Sequence, residues 1–146
     1  MLPRQKELRD RLISLGFDEV RFATVTAPLP GMLREWLAAG MHADMQWMER
    51  TVEKRLNADL VLPGARSIIM LGLSYWSNRL SRQPPPGEGP AWARYALHED
   101  YHDTVKPALV AAGRALEQLF GVGDADYRHY VDTGPVLERA WAARAG

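Results

Sequence analysis

Leu8, Leu12 and Leu15 recur at helical spacing among charged neighbours, which predicts an amphipathic helix over roughly Arg4 to Leu15, closed by Gly16. Val20, Phe22 and, less regularly, Val25 alternate with other residues as in a short strand, ended by Pro28 and Pro30. GMLREWLAAG (31–40) and ADMQWMERTVEKRL (43–56) each predict a helix whose Met and Trp residues fill core rather than line a ligand box. LPGARSIIMLGLSYW gives a turn and then an apolar run, Ile68 to Leu73, suited to a strand covered on both faces. SRQPPPGEGP, Ser81 to Pro90, reads as a long loop. A long helix follows from about Asp100 to Phe120, with Pro107 imposing either a kink or a start near Lys106. YRHYV predicts a further strand, and GPVLERAWAARAG a helix with Gly134 as its cap and Pro135 at its first position.

Strands separated by helical segments, without an internal repeat, make the fold class α/β. The expectation is one three-layer-like domain over residues 1–146, a small central sheet flanked by helices, its strand order open. Trp141 stands in the last helix with no later element to cover it, so the chain reads as one that has been cut short.

Composition narrows the function. A chain of 146 residues, 47% hydrophobic and 25% charged, can bury a core of ordinary size. Eighteen basic and eighteen acidic residues cancel, so no wholesale bias toward nucleic acid exists, although a local basic patch is compatible with that balance. The absence of cysteine excludes disulfides, thiolate zinc sites and cysteine-ligated iron–sulfur clusters within these residues. No apolar run approaches membrane-spanning length, and the charged start is unlike a signal peptide. A cytoplasmic protein without a membrane partner is the expectation.

Three stretches carry candidate chemistry. In RYALHEDYHD, Arg94 to Asp103, a strand would put His98, Asp100 and His102 on one face as a metal clasp. A helix would align only His98 with His102. The plainer reading, favoured by spacing, is a helix N-terminus at which Glu99, Asp100 and Asp103 complement the dipole. In YVDTGPVLER, Asp132 falls where a predicted strand meets a helix, the edge at which α/β sites form, but a carboxylate there also serves simply as a helix-terminus partner. Glu138 and Arg139 read as a surface pair or a helix anchor. In KRLNADLVLPGARS, Arg55 and Arg66 flank a turn and could hold phosphate or carboxylate, or be solvated. Phosphate loops are absent, since Gly121 and Gly123 lack a third spaced glycine and no GKS or GKT follows, and there is no GxSxG.

Together LPGARSIIMLGLSYW, ARYALHEDYH and YVDTGPVLERAWAARAG resemble, in this order, the N-terminal domain of the epoxyqueuosine reductase family. The resemblance runs from about Gly31 to the last residue and is most specific in RYA-x-x-x-DYH and VDT-x-P-x-LER. It implies a cobalamin-dependent oxidoreductase of queuosine biosynthesis and tRNA processing that reduces epoxyqueuosine to queuosine at the wobble position. The partner is then the tRNA anticodon loop, with the base extruded into a pocket. By motif, Asp132 corresponds to the proton donor, and Arg55, Tyr95, Asp100, Tyr101 and His102 to positions beside the cobalamin. Electrons come in that family from two [4Fe-4S] clusters on a ferredoxin-like domain, for which this chain has no ligands. The family sequence would continue past Ala145–Gly146 with glycines and then cysteines.

The resemblance also sets expectations for single positions. A donor must keep its proton near neutral pH, so Asp132 is expected to hold it more tightly once a corrin covers it. The family commonly has glycine at position 98, and His98 is the residue expected to tolerate a left-handed turn there less well. Gly134 replaces a usual alanine or other small residue and is expected to be harmless. These residues are expected to be inactive without an iron–sulfur domain. Two other readings stand beside this one: a catalytically silent corrinoid- or partner-binding module, and a metal-dependent hydrolase built on His98, Asp100 and His102.

Overall fold

A computed structural model describes residues 2–26, 29, 31–76, 87, 89–90 and 92–146. In chain order the elements are α1 (Pro3–Ser14), β1 (Glu19–Thr24), α2 (Met32–Ala38), α3 (Gln46–Arg50), α4 (Val52–Leu56), β2 (Ser67–Gly72), α5 (Tyr101–Phe120) and α6 (Glu138–Ala145). Short 3-10 turns lie at Ala58–Leu60, Arg94–Leu97 and Asp124–Asp126. Strands β1 and β2 form a two-stranded sheet. Asp18 N–H donates to the Gly72 carbonyl and Val25 N–H to that of Arg66, both at 2.9 Å, so the strands run antiparallel. The chain is thus of mixed helix and strand, as its alternating patterns predict. Among the described residues no helix is long and apolar enough to cross a membrane.

The chain divides into two compact units, each assembled from separated segments. Unit 1 comprises residues 1–19 and 72–122. Here α1 buries Leu8 and Leu12, Phe17 follows, and α5 buries Leu109, Ala112, Gly113 and Ala115. Small residues on α5 let the helices approach closely, and Arg11 on α1 donates to Gln118 on α5 at 3.2 Å. Helix α5 ends where Gly121 turns left-handed, with φ 68°. It runs unbroken from Tyr101, so the alternative start near Lys106 is not taken. Pro107 cannot donate to the Asp103 carbonyl, but both residues are exposed and water can serve the carbonyl instead.

Unit 2 comprises residues 20–71 and 123–146. Its core is Ala23, Leu29, Leu56 and Trp141, lined by Val25, Leu33, Val52, Ile68, Met70, Val136, Leu137 and Ala140. Trp141 is only 2% exposed. The expectation that it lacks a covering element is therefore corrected: its cover comes from earlier in the chain, from β1, α4 and β2. Helices α2 and α4 are tied by Arg34, whose guanidinium grips both oxygens of Glu53 at 2.6 and 2.7 Å.

Other boundaries differ from the pattern-based expectation. Residues 43–56 form two short helices broken at Thr51 instead of one. YRHYV pairs with no strand among the described residues; its β-forming side chains stack on one another, Tyr127 over His129 at 6.3 Å, in a segment with no sheet edge beside it. Helix α6 opens at Glu138 with Leu137 at its N-cap, not at Gly134–Pro135. β2 is half-buried from Ile68 to Gly72, so both faces are partly covered. Pro28, Pro30 and most of the Ser81–Pro90 loop lie outside the described residues.

Candidate functional site

The candidate residues fall into one group in each unit. In unit 1 they gather at the start of α5. Asp100 is the N-cap, its Oδ1 accepting the His102 backbone N–H at 2.9 Å and lying 2.8 Å from His102 Nδ1. A carboxylate only accepts, so Nδ1 carries the proton in this pair. The backbone N–H of His102, and then its ring, hold the Asp100 carboxyl below the usual carboxylate range. The helix-terminus reading of RYALHEDYHD is the one observed, with Asp103 completing the acidic first turn.

Around this cap the rings form a continuous run. Tyr101 stacks on His102 at 4.3 Å, Tyr95 meets Tyr101 edge-on at 6.3 Å, and Tyr75 meets Tyr95 edge-on at 6.3 Å. The Arg94 guanidinium lies 3.9 Å from the centre of the Trp76 ring. Tyr75, Trp76 and Tyr95 are each more than half exposed, at 56%, 68% and 52%. Motif reading named Tyr95, Asp100, Tyr101 and His102 and missed Tyr75, Trp76 and Arg94 as their neighbours. The signals for these were the aromatic pair ending LGLSYW and the arginine that opens RYALHEDYHD.

His98 does not occupy a left-handed turn. Its backbone is extended, φ −99° and ψ 174°, a conformation any residue adopts. The expectation that glycine would be conformationally better there is corrected. Its Nε2 lies 2.8 Å from the Tyr75 carbonyl, to which it donates, fastening the 3-10 turn to the end of the strand segment. His98 and His102 therefore serve different partners. Among the described residues no group of three or more His, Cys, Asp or Glu side chains is arranged to hold a metal ion.

In unit 2 the site residues are Arg55 and Asp132. Arg55, part-buried on α4, donates from Nε to Thr51 Oγ1 at 2.9 Å and from a terminal nitrogen to the Val136 carbonyl at 3.3 Å. Its guanidinium also lies 5.0 Å from the centre of the Trp47 ring. Burial lowers its pKa, which an arginine tolerates without losing its charge near neutral pH. Arg55 thus braces the segment that carries Asp132. Arg66 is exposed, and its backbone carbonyl is part of the β1–β2 ladder.

Asp132 is exposed, with φ +56°, one of two described non-glycine residues on the positive side. Thr133 N–H donates to the Val131 carbonyl at 2.7 Å, closing a γ-turn of the rarer, positive-φ kind around Asp132. Asp132 N–H donates to Glu138 Oε1 at 3.0 Å. Because α6 begins six residues later, Asp132 is not in a helix first turn, and the expected helix-terminus role is corrected. Glu138 is the neighbour of Asp132 that sequence reading left as a surface or anchoring residue. Burial, the largest influence on it, pushes its carboxyl above the usual range, against the lowering effect of the Asp132 N–H. Gly134 is buried against the Tyr130 ring; a Cβ there would overlap Tyr130 Cγ and lie 2.5 Å from Cδ1.

Residues 55–133 match the family described as epoxyqueuosine reductase QueG, DUF1730, a stretch running from Arg55 past Asp132. An epoxyqueuosine reductase of Synechocystis sp. is 45% identical over 114 residues, covering 78% of this chain and 37% of that protein. One from Gloeobacter violaceus is 40% identical over 152 aligned positions, covering 100% of this chain and 44% of its own length. One from Vibrio cholerae is 34% identical over 144, covering 96% and 38%. The chain therefore spans about two fifths of the length of these relatives. No solved structure matches it significantly.

Proposed function

Because the chain belongs to the epoxyqueuosine reductase QueG family, we propose that it forms the cobalamin-side, N-terminal part of an oxidoreductase that reduces epoxyqueuosine to queuosine at the wobble position of tRNA. The observation that carries this reading is the span of the family match: it contains Arg55, Tyr95, Asp100, Tyr101, His102 and Asp132 together.

The residues present fit a corrin. The exposed rings of Tyr75 and Tyr95 and the half-buried ring of Tyr101 offer apolar faces to a large flat cofactor, and Asp100 beside His102 offers hydrogen-bonding groups to its amide side chains. Cobalamin, when bound, supplies the reducing power at carbon. Deoxygenating an epoxide to an alkene consumes two electrons and two protons and releases water. The role assigned to Asp132 is delivery of one proton to the departing oxygen. Arg55 holds the Asp132 segment through the Val136 carbonyl. The chain contains no cysteine to ligate a cluster, and in this reading the electrons come, as the family resemblance implies, from a separate iron–sulfur domain.

Titration of the chain with hydroxocobalamin, followed by its visible spectrum, tests the reading. Saturable spectral change, weakened roughly tenfold or more by Tyr95→Ala, supports it. Supplied with an iron–sulfur donor domain and substrate tRNA, the Asp132→Asn variant is expected to lose roughly a hundredfold in kcat. Unchanged turnover removes the donor assignment. Cobalamin binding with no turnover even when electrons are supplied makes the chain a silent corrinoid module. Stoichiometric zinc or manganese lost in His102→Ala makes it a metal-dependent hydrolase instead.

A further inference from the structure

We propose that Glu138 is a positioning residue for Asp132: its carboxylate accepts the Asp132 amide proton and holds the tight turn on which Asp132 sits. This rests on the reading of Asp132 as proton donor.

A γ-turn with positive φ at a residue that has a Cβ is a strained arrangement, and it persists only where its surroundings determine it. Three contacts do so here. The Tyr130 ring is seated against Gly134, leaving no room for a side chain at that position. Arg55 holds the Val136 carbonyl at 3.3 Å. Between these anchors, Glu138 Oε1 reaches back and takes the Asp132 N–H at 3.0 Å. The first two fix the ends of the segment; the third acts on the backbone of Asp132 itself. The Glu138 side chain is also partly withdrawn from water, and that burial raises its pKa. A carboxylate at the first residue of a helix has a cheaper place in solvent on the helix's exposed side. Its inward position is accounted for by the N–H it receives there.

The Asp132 carboxyl also bears on Glu138, but the proposed role lies in the acceptor atom, which makes it separable by substitution. Glu138→Gln keeps an oxygen at the same reach, whereas Glu138→Ala removes it. In the 146-residue chain, exchange of the Asp132 amide, read by NMR, is expected to be roughly tenfold faster in Glu138→Ala and within roughly twofold of the parent in Glu138→Gln. In turnover with an iron–sulfur donor domain supplied, Glu138→Ala is expected to lower kcat roughly tenfold with KM little changed, and Glu138→Gln to restore most of it. Trp141 fluorescence verifies that each variant is folded. If Glu138→Ala does not fold, Glu138→Asp, shorter by one methylene, withdraws the acceptor while keeping the charge and carries the same expectation. An unchanged Asp132 exchange rate in Glu138→Ala overturns the proposal, as does a folded Glu138→Gln that fails as badly as Ala. The donor reading fails separately: turnover untouched by Asp132→Asn removes it, while the exchange rate at position 132 still reports the grip of Glu138.

Discussion

Gly134 and Tyr130 are a matched pair, because the ring occupies the space that any Cβ would need. Replacing Gly134 with Ala forces the ring or the backbone to move and is expected to cost roughly 1–3 kcal/mol, read by denaturant unfolding. The cost should shrink markedly in a Tyr130→Ala background, since the overlap is then gone. Reading Gly134 as a harmless replacement for alanine did not reveal that a Cβ is excluded here, since size at one position says nothing about the neighbour across a turn. Asp132 was singled out as a candidate through its motif, but its backbone conformation was not legible: left-handed φ leaves no periodic trace. Glu138 escaped for a related reason. A side chain returning six residues to a backbone N–H follows neither the helix nor the strand period. His98 shows the converse, a position marked as unusual by resemblance that proves conformationally ordinary.

At the scale of elements, α5 was the most readable, with its acidic start and its end at Phe120 where the pattern put them. Its cap yields a pH dependence with a definite sign. Hydrogen bonds from His102 depress the Asp100 pKa in the folded state, so the cap's contribution is present above the ordinary carboxylate range. It is lost as pH falls through the depressed folded value. Acidification should therefore fray the first turn of α5 while Asp100→Asn, which still accepts the N–H, removes that dependence; His102 amide shifts followed by NMR over the acid range distinguish the two. Glu138 works in the other direction, its raised pKa favouring the fold at low pH and giving that up as pH rises through the raised value. The YRHYV segment was misread because residues that suit a pleated surface need a strand beside them, and single-chain propensity does not report whether one exists. The start of α6 was misread because capping signals at Gly134–Pro135 compete with the turn at Asp132, and the turn prevails.

For the molecule as a whole, mixed helix and strand followed from the order of patterns, while the division into two discontinuous units did not. Hydrophobic periodicity tells which face of a segment is buried and is silent about the segment it meets. Trp141 is the plain instance, a residue judged uncovered because its cover lies far earlier in the chain. Trp141→Ala is expected to destabilise unit 2 by about 3–5 kcal/mol, measurable as a lowered denaturant midpoint. At the level of activity, the cysteine-free chain is expected to show no epoxyqueuosine reduction without an added iron–sulfur donor domain, and measurable single-chain turnover with a physiological one-electron donor refutes this. The place of Trp141 has a consequence during synthesis. Ala23, Leu29 and Leu56 leave the ribosome long before the indole that seals them, so the core of unit 2 stays open until α6 has emerged. A nascent chain halted before α6 is therefore expected to present that apolar lining to hydrophobic-surface chaperones.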